Sequence, residues 1–249
     1  IRYNVLRWTS SPNPPFGGYG PSFVNPKTGQ ILGADIMLEY VYFTNRVKYE
    51  ELHRTFDSDS EFKLDPINTC LAGDYLHQGN LFGMAVLGSV DGFSQLEQHR
   101  LIYESLVKLT LHEVGHTLGL NHNFYASHLH SFKNIHDRII TEPLGLTSSV
   151  MDYVSANVND KPKHHGQFYS TTPGPYDVWA IEFGYTPLLE SPTDEKERIE
   201  LLLSQSTKNE LGFGNDADDM RSPGKGIDPR INVSDMSADP VAYAQQRMD

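Results

Sequence analysis

The sequence predicts an α/β (α+β) fold, and three observations carry that prediction. Strand-like apolar runs are confined to residues 2–93 of the 249-residue chain. One long segment with helical spacing follows them. Beyond it the pattern is irregular, broken by short helical stretches. With 38% hydrophobic residues the chain can bury a sizeable core. The expected division is an N-terminal subdomain over 1–119, holding the strands and the long helix, and a C-terminal subdomain over 120–249.

Residues 2–8, RYNVLRW, are β-rich and alternate loosely, which predicts a strand. Residues 10–29 are dense in Pro, Gly and Ser and predict loop. GQILGADIMLEYVYF, 29–43, begins as a strand; a helix is expected over 40–56 and surface loop over 57–69. GNLFGMAVLGSVDGF, 79–93, is apolar between glycines and reads as a further strand. Ser94 and Glu97 fit a capping box, and Leu101, Leu109, Val114 and Leu118 follow at helical spacing. A helix is therefore predicted over 95–118, ended by Gly119, which takes the left-handed conformation at little cost. Regular structure thins over 120–174. Helices are expected over 176–185, over 191–206 with Ser191 as cap and Pro192 in the first turn, and over 240–247.

The formal charge of −12 argues against nucleic acid as a partner, because phosphate binding needs clustered Lys and Arg. Cys70 is the only cysteine, so an intramolecular disulfide and a four-cysteine zinc site are both excluded. No run approaches the roughly 18 apolar residues of a membrane span. No signal peptide is visible, and the abrupt start at Ile1 reads as a cut or processed piece of a larger precursor.

The chemistry is concentrated in HEVGHTLGLNHN, 112–123. Positions i and i+4 of a helix share a face, so His112 and His116 offer imidazoles to one point. Glu113 is placed to reach a metal-bound water. A turn at Gly119 swings His122 back toward the same point as a third ligand. Two or three neutral imidazoles suit Zn²⁺, which lowers the pKa of its water so that a carboxylate can take the proton.

HEVGHTLGLNH resembles the HExxHxxGxxH motif of the metzincin zinc endopeptidases. The resemblance makes His112, His116 and His122 the zinc ligands and Glu113 the general base. SVMDY, 149–153, resembles the clan's Met-turn, with Met151 as apolar floor and Tyr153 as a catalytic residue that ligates zinc or stabilises the oxyanion. RYNVLRW, GPSFVNPKTGQILGADI, YDVWAIEFGY and DPRINVSDMSADPVAYA resemble a poorly characterised group of bacterial zinc-dependent metalloproteases.

The resemblance implies a twisted, mostly parallel sheet packed on a long active-site helix. It implies a strand and a helix upstream of RYNVLRW, and a secreted, periplasmic or envelope-associated location. It also implies a polypeptide substrate bound extended along an edge strand, for which residues 80–88 are the candidate.

The expected function is hydrolysis of peptide bonds by a zinc metalloendopeptidase through a metal-bound water. The alternative is a catalytically inactive zinc-containing binding or structural domain; an amidase or small-peptide hydrolase is a further class. NDADD, 215–219, is oxygen-rich and suits either Ca²⁺ or an ordinary acidic loop. His128, His130, His136, His164 and His165 read as surface histidines.

Overall fold

A computed structural model describes residues 3–10, 17–40, 70–91, 93–159, 165–220 and 226–248. The helix expected over 40–56 and the loop over 57–69 lie outside these residues, apart from Tyr40.

The chain forms an α/β architecture: a four-stranded mixed sheet, then a largely helical C-terminal part. Strands β1 (Val5–Thr9), β2 (Gly18–Tyr19), β3 (Ser22–Val24) and β4 (Ile31–Glu39) make the sheet. β1 runs parallel to β4, with Val5 opposite Asp35 and Thr9 opposite Glu39. β2 and β3 run antiparallel along the other edge of β4. The sheet is thus not mostly parallel. The reason is connection length. Only residues 25–30 join β3 to β4, closed by Asn25 N–H to Gln30 O at 2.8 Å, whereas a parallel crossover needs a dozen residues or more. The stretch 10–29, expected as loop, therefore contributes two short strands. Along β4 the side chains of Ala34, Ile36 and Leu38 alternate into the core.

The run 79–93 is not a strand. Its residues 79–89 belong to helix α1, Ala72–Ser89, so residues 80–88 cannot be a substrate-pairing edge. Gly79 and Gly83 share one face, and a Cβ at Gly83 would fall 2.8 Å from Leu101. Gly79 and Gly83 are instead where α1 lies close on its neighbours. Asn80 Nδ2 donates to Ser105 Oγ at 2.9 Å across the same contact.

Helix α2, Gln95–Thr117, agrees with its predicted span. Its capping box does not form: Ser94 makes no side-chain cap, and Glu97 pairs with Arg100 at 3.1 Å. Gly119 has φ +90°, the left-handed turn the sequence requires. Helices α3 (Arg138–Leu144), α4 (Pro175–Tyr185), α5 (Pro192–Leu203) and α6 (Pro240–Met248) follow. Ser191 caps α5 by accepting from Asp194 N–H at 3.3 Å. Among the described residues no helix is long and apolar enough to cross a membrane. One core joins Ile36 and Leu38 of β4, Leu101 and Leu109 of α2, Phe124, Tyr153, Phe168, Met236 and Tyr243.

Candidate metal centre

The last two turns of α2 carry His112, Glu113 and His116; the turn at Gly119 then returns the chain so that His122 faces them. The ring centroids of His112 and His116 lie 4.7 Å apart, those of His116 and His122 4.9 Å, and those of His112 and His122 5.4 Å. Each Nδ1 is engaged away from the shared point. His112 Nδ1–H donates to Val150 O at 2.8 Å, His116 Nδ1–H to Leu120 O at 3.1 Å, and His122 Nδ1–H to Asp216 Oδ2 at 2.8 Å. Such partners set the tautomer and leave each Nε2 with its lone pair directed inward. The Nε2 of His116 is buried with no hydrogen-bond partner, as an atom awaiting a ligand would be.

Burial and the neighbouring imidazoles hold His112 well below its ordinary pKa and His116 down to about 4. Both are therefore neutral at pH 7, the form that binds a metal. The donor set and geometry fit zinc.

A fourth group completes the set. Cys70 joins the three histidines, and one ligand atom from each lies within 4.8 Å of all the others. Among the described residues this is the group of His, Cys, Asp and Glu side chains gathered to hold a metal ion. Cys70 Sγ is 3.4 Å from His112 Nε2 and donates to Glu113 Oε1 at 3.5 Å. In the sequence, Cys70 serves only to exclude an intramolecular disulfide and a four-cysteine zinc site, and nothing there marks it as a partner of the histidines.

Glu113 is fully buried, and its Oε2 has no hydrogen-bond partner. Burial pushes its carboxyl up to about 7, opposed by hydrogen bonds from Cys70 and the Gly20 backbone. The sheet edge supplies that second contact: a Cβ at Gly18 would collide with Glu113 Oε1. The Gly-rich 17–20 segment thus lies directly against the carboxylate.

Tyr153 also reaches the centre. Its hydroxyl donates to His122 Nε2 at 2.8 Å and accepts from Leu71 N–H at 3.0 Å. Burial, with Cys70 beside it, pushes its pKa upward, so it stays a neutral phenol. Met151 is fully buried beneath α2, its sulfur pressed against Gly115. Its carbonyl accepts from Asn123 N–H at 3.1 Å, which ties the ligand-bearing loop to the Met151 turn.

Lys108, one turn before His112 and buried, donates to the same Val150 carbonyl at 2.8 Å. Asp216, in the loop read as oxygen-rich, accepts from His122 Nδ1–H. His128, His130 and His165 are buried rather than on the surface. His130 Nε2 bonds Gly145 O at 2.8 Å and His165 Nδ1 lies 3.2 Å from Arg100, partners that sequence distance conceals. His164 lies outside the described residues.

A helix bearing two histidines, a left-handed glycine turn to a third and Cys70 beside them form a cluster able to hold a metal ion, a donor set consistent with zinc. Residues 94–249, more than half of the chain, match the Met-zincin family, and the chain belongs to that family. Comparison with curated proteins and with solved structures gives no match.

Proposed function

We propose that this chain is a zinc-dependent endopeptidase, with His112, His116 and His122 holding the ion and Glu113 as general base. The observation that carries the reading is a buried carboxylate set beside three imidazoles whose Nδ1 atoms are all engaged elsewhere. When bound, zinc would supply Lewis acidity, lowering the pKa of a water and polarising a carbonyl.

The chain's own residues supply the rest. Glu113, pushed up to about 7, is matched both to take a proton from the attacking water and to return it to the leaving amine. The neutral Tyr153 hydroxyl is a donor for the oxygen on which charge develops. The substrate would be a polypeptide lying extended along β2, the outer strand on the Glu113 side of the sheet. This edge takes the place of residues 80–88.

Glu113→Gln tests the mechanism. It should keep one zinc per chain and lose roughly 10²–10⁴-fold in cleavage of a mixed peptide library. Undiminished cleavage with metal bound would remove Glu113 from the chemistry.

A second reading, a zinc-holding domain without turnover, is favoured by Cys70. Its thiol brings the protein ligands to four, and structural zinc sites are closed in this way. A chain that binds zinc and leaves every peptide of the library intact would establish it.

A further inference from the structure

The three imidazoles are not backed equally. His122 Nδ1–H donates to a carboxylate, Asp216 Oδ2, at 2.8 Å, and His116 Nδ1–H to a carbonyl, Leu120 O, at 3.1 Å. His112 Nδ1–H also has a carbonyl, Val150 O at 2.8 Å, but shares it. Lys108 Nζ donates to the same oxygen, likewise at 2.8 Å. The two lone pairs of a carbonyl oxygen admit both donors. Lys108 lies one helical turn before His112, so the two side chains leave α2 on one face and meet at the turn that carries Val150. A lysine is costly here. Its side chain is buried, and burial draws its pKa down to about 8, opposed by the Asp152 and Asp177 carboxyl groups. It therefore keeps its charge at pH 7. An apolar side chain would fill the position without desolvating a cation.

We propose that Lys108 is a positioning residue that tunes the metal centre through His112: its ammonium competes for the Val150 carbonyl and holds a positive charge behind that ring. A carbonyl or carboxylate behind a ligating imidazole raises its basicity. A cation on that carbonyl withdraws the support, in a buried setting where charge is weakly screened. His112 is then the poorest electron donor of the three. It binds zinc less tightly and quenches less of the ion's Lewis acidity, while His122, backed by Asp216, keeps the ion in place.

The effect on affinity stands whether or not the chain cleaves peptides; the gain to catalysis rests on the endopeptidase reading. Zinc affinity of the full chain, by chelator competition at pH 7, is the first arm. Lys108→Met removes charge and donor; Lys108→Gln keeps a donor and removes the charge. Both should bind zinc roughly 10-fold more tightly than the wild type, the low end of what a ligand's outer partners are worth. Lys108→Arg keeps the cation and should restore wild-type affinity. The sign is diagnostic, because damage to packing around Asp152 and Asp177 loosens a site. Equal or weaker zinc binding by the neutral variants overturns the proposal, and Lys108→Gln alone decides it should the methionine variant misfold.

Peptide-library cleavage is the second arm. The neutral variants should lose roughly 10-fold in kcat with KM unchanged, if the same free energy is lost at the transition state. Tighter zinc with undiminished kcat would overturn the gain in Lewis acidity. Tighter zinc with no cleavage by any chain, wild type included, would uphold Lys108 as the tuning residue and overturn the endopeptidase reading.

Discussion

Every imidazole of the cluster is oriented through its Nδ1 atom, and only one of the three acceptors is a side chain. Val150 and Leu120 present backbone carbonyls; Asp216 presents a carboxylate, 94 positions along the chain from His122. Asp216→Ala leaves His122 in place and removes what fixes its tautomer and ring plane. Metal affinity should then fall roughly 10- to 100-fold, as loss of such outer partners costs elsewhere. Competition with a zinc chelator checks this, and unchanged affinity would show that packing against Phe124, 5.4 Å away ring to ring, suffices. His112, Glu113 and His116 were legible because helical spacing places them, and His122 because a glycine turn follows the helix. Cys70 and Asp216 were not. Each arrives from a distant segment, and neither carries a local pattern that distinguishes a ligand or its partner from an ordinary thiol or acidic loop.

Two elements meet α2 to build the centre, and each supplies a test. The first is the sheet edge at 17–20. Gly18→Ala adds a methyl where Glu113 Oε1 now lies, so the carboxylate must move. Cleavage should fall roughly 10²-fold with zinc content unchanged, since small displacements of a catalytic group cost about that much. Full activity would show that the edge yields instead.

The second element is the turn around Met151, held by the first turn of α4. Asp177 accepts from Ser149 Oγ at 2.5 Å, Val150 N–H at 2.8 Å and Gly174 N–H at 2.8 Å. Burial raises its pKa even so. Asp177→Ala strands those donors and should cost about 3 kcal/mol net: three hydrogen bonds to a charged group, each worth about 1.5–3 kcal/mol, offset in part by release of the carboxylate from burial. At about 2–4 °C per kcal/mol for a chain of this size, Tm should drop by roughly 6–12 °C. A smaller shift, below about 2 °C, would mean that the turn is held by other contacts.

Spacing made α2 and α5 readable in advance. α1 was misread because Gly79 and Gly83 punctuate its sequence while serving helix packing, a tertiary demand that overrides local propensity. The mixed sheet follows from a turn whose pairing partners no periodicity reveals.

At the scale of the whole molecule, the tail closes the core beneath the ligand-bearing loop. Its apolar content is low, but its backbone is bound to site segments. Asn232 N–H donates to Phe124 O at 3.3 Å, Ser234 N–H to Tyr153 O at 2.8 Å, and Ala238 N–H to His130 O at 2.7 Å. This docking buries Asp235 against Ser127, Asp152 and His128, the last at 3.9 Å. Burial pushes Asp235 up to about 7, and burial together with the Asp235 charge drives Asp152 well above the carboxylate range.

A carboxyl with a raised folded-state pKa binds its proton more tightly folded than unfolded. Its contribution to stability is therefore fully present below the ordinary aspartate pKa of about 3.9, and is lost as pH rises through about 7. Asp235→Asn carries no titrating group at this position, so it should gain on the wild type across that window. Buried His128 shifts the opposite way, its pKa lowered by burial, and is common to both chains. The readout is accordingly the difference between variant and wild-type urea midpoints, taken on metal-free protein at pH 5 and pH 8 to keep ligand protonation out of the comparison. The variant should stand higher relative to wild type at pH 8 than at pH 5. A pH-independent difference would mean that Asp235 titrates alike in the folded and unfolded chains, and that the tail docks without burying a charge.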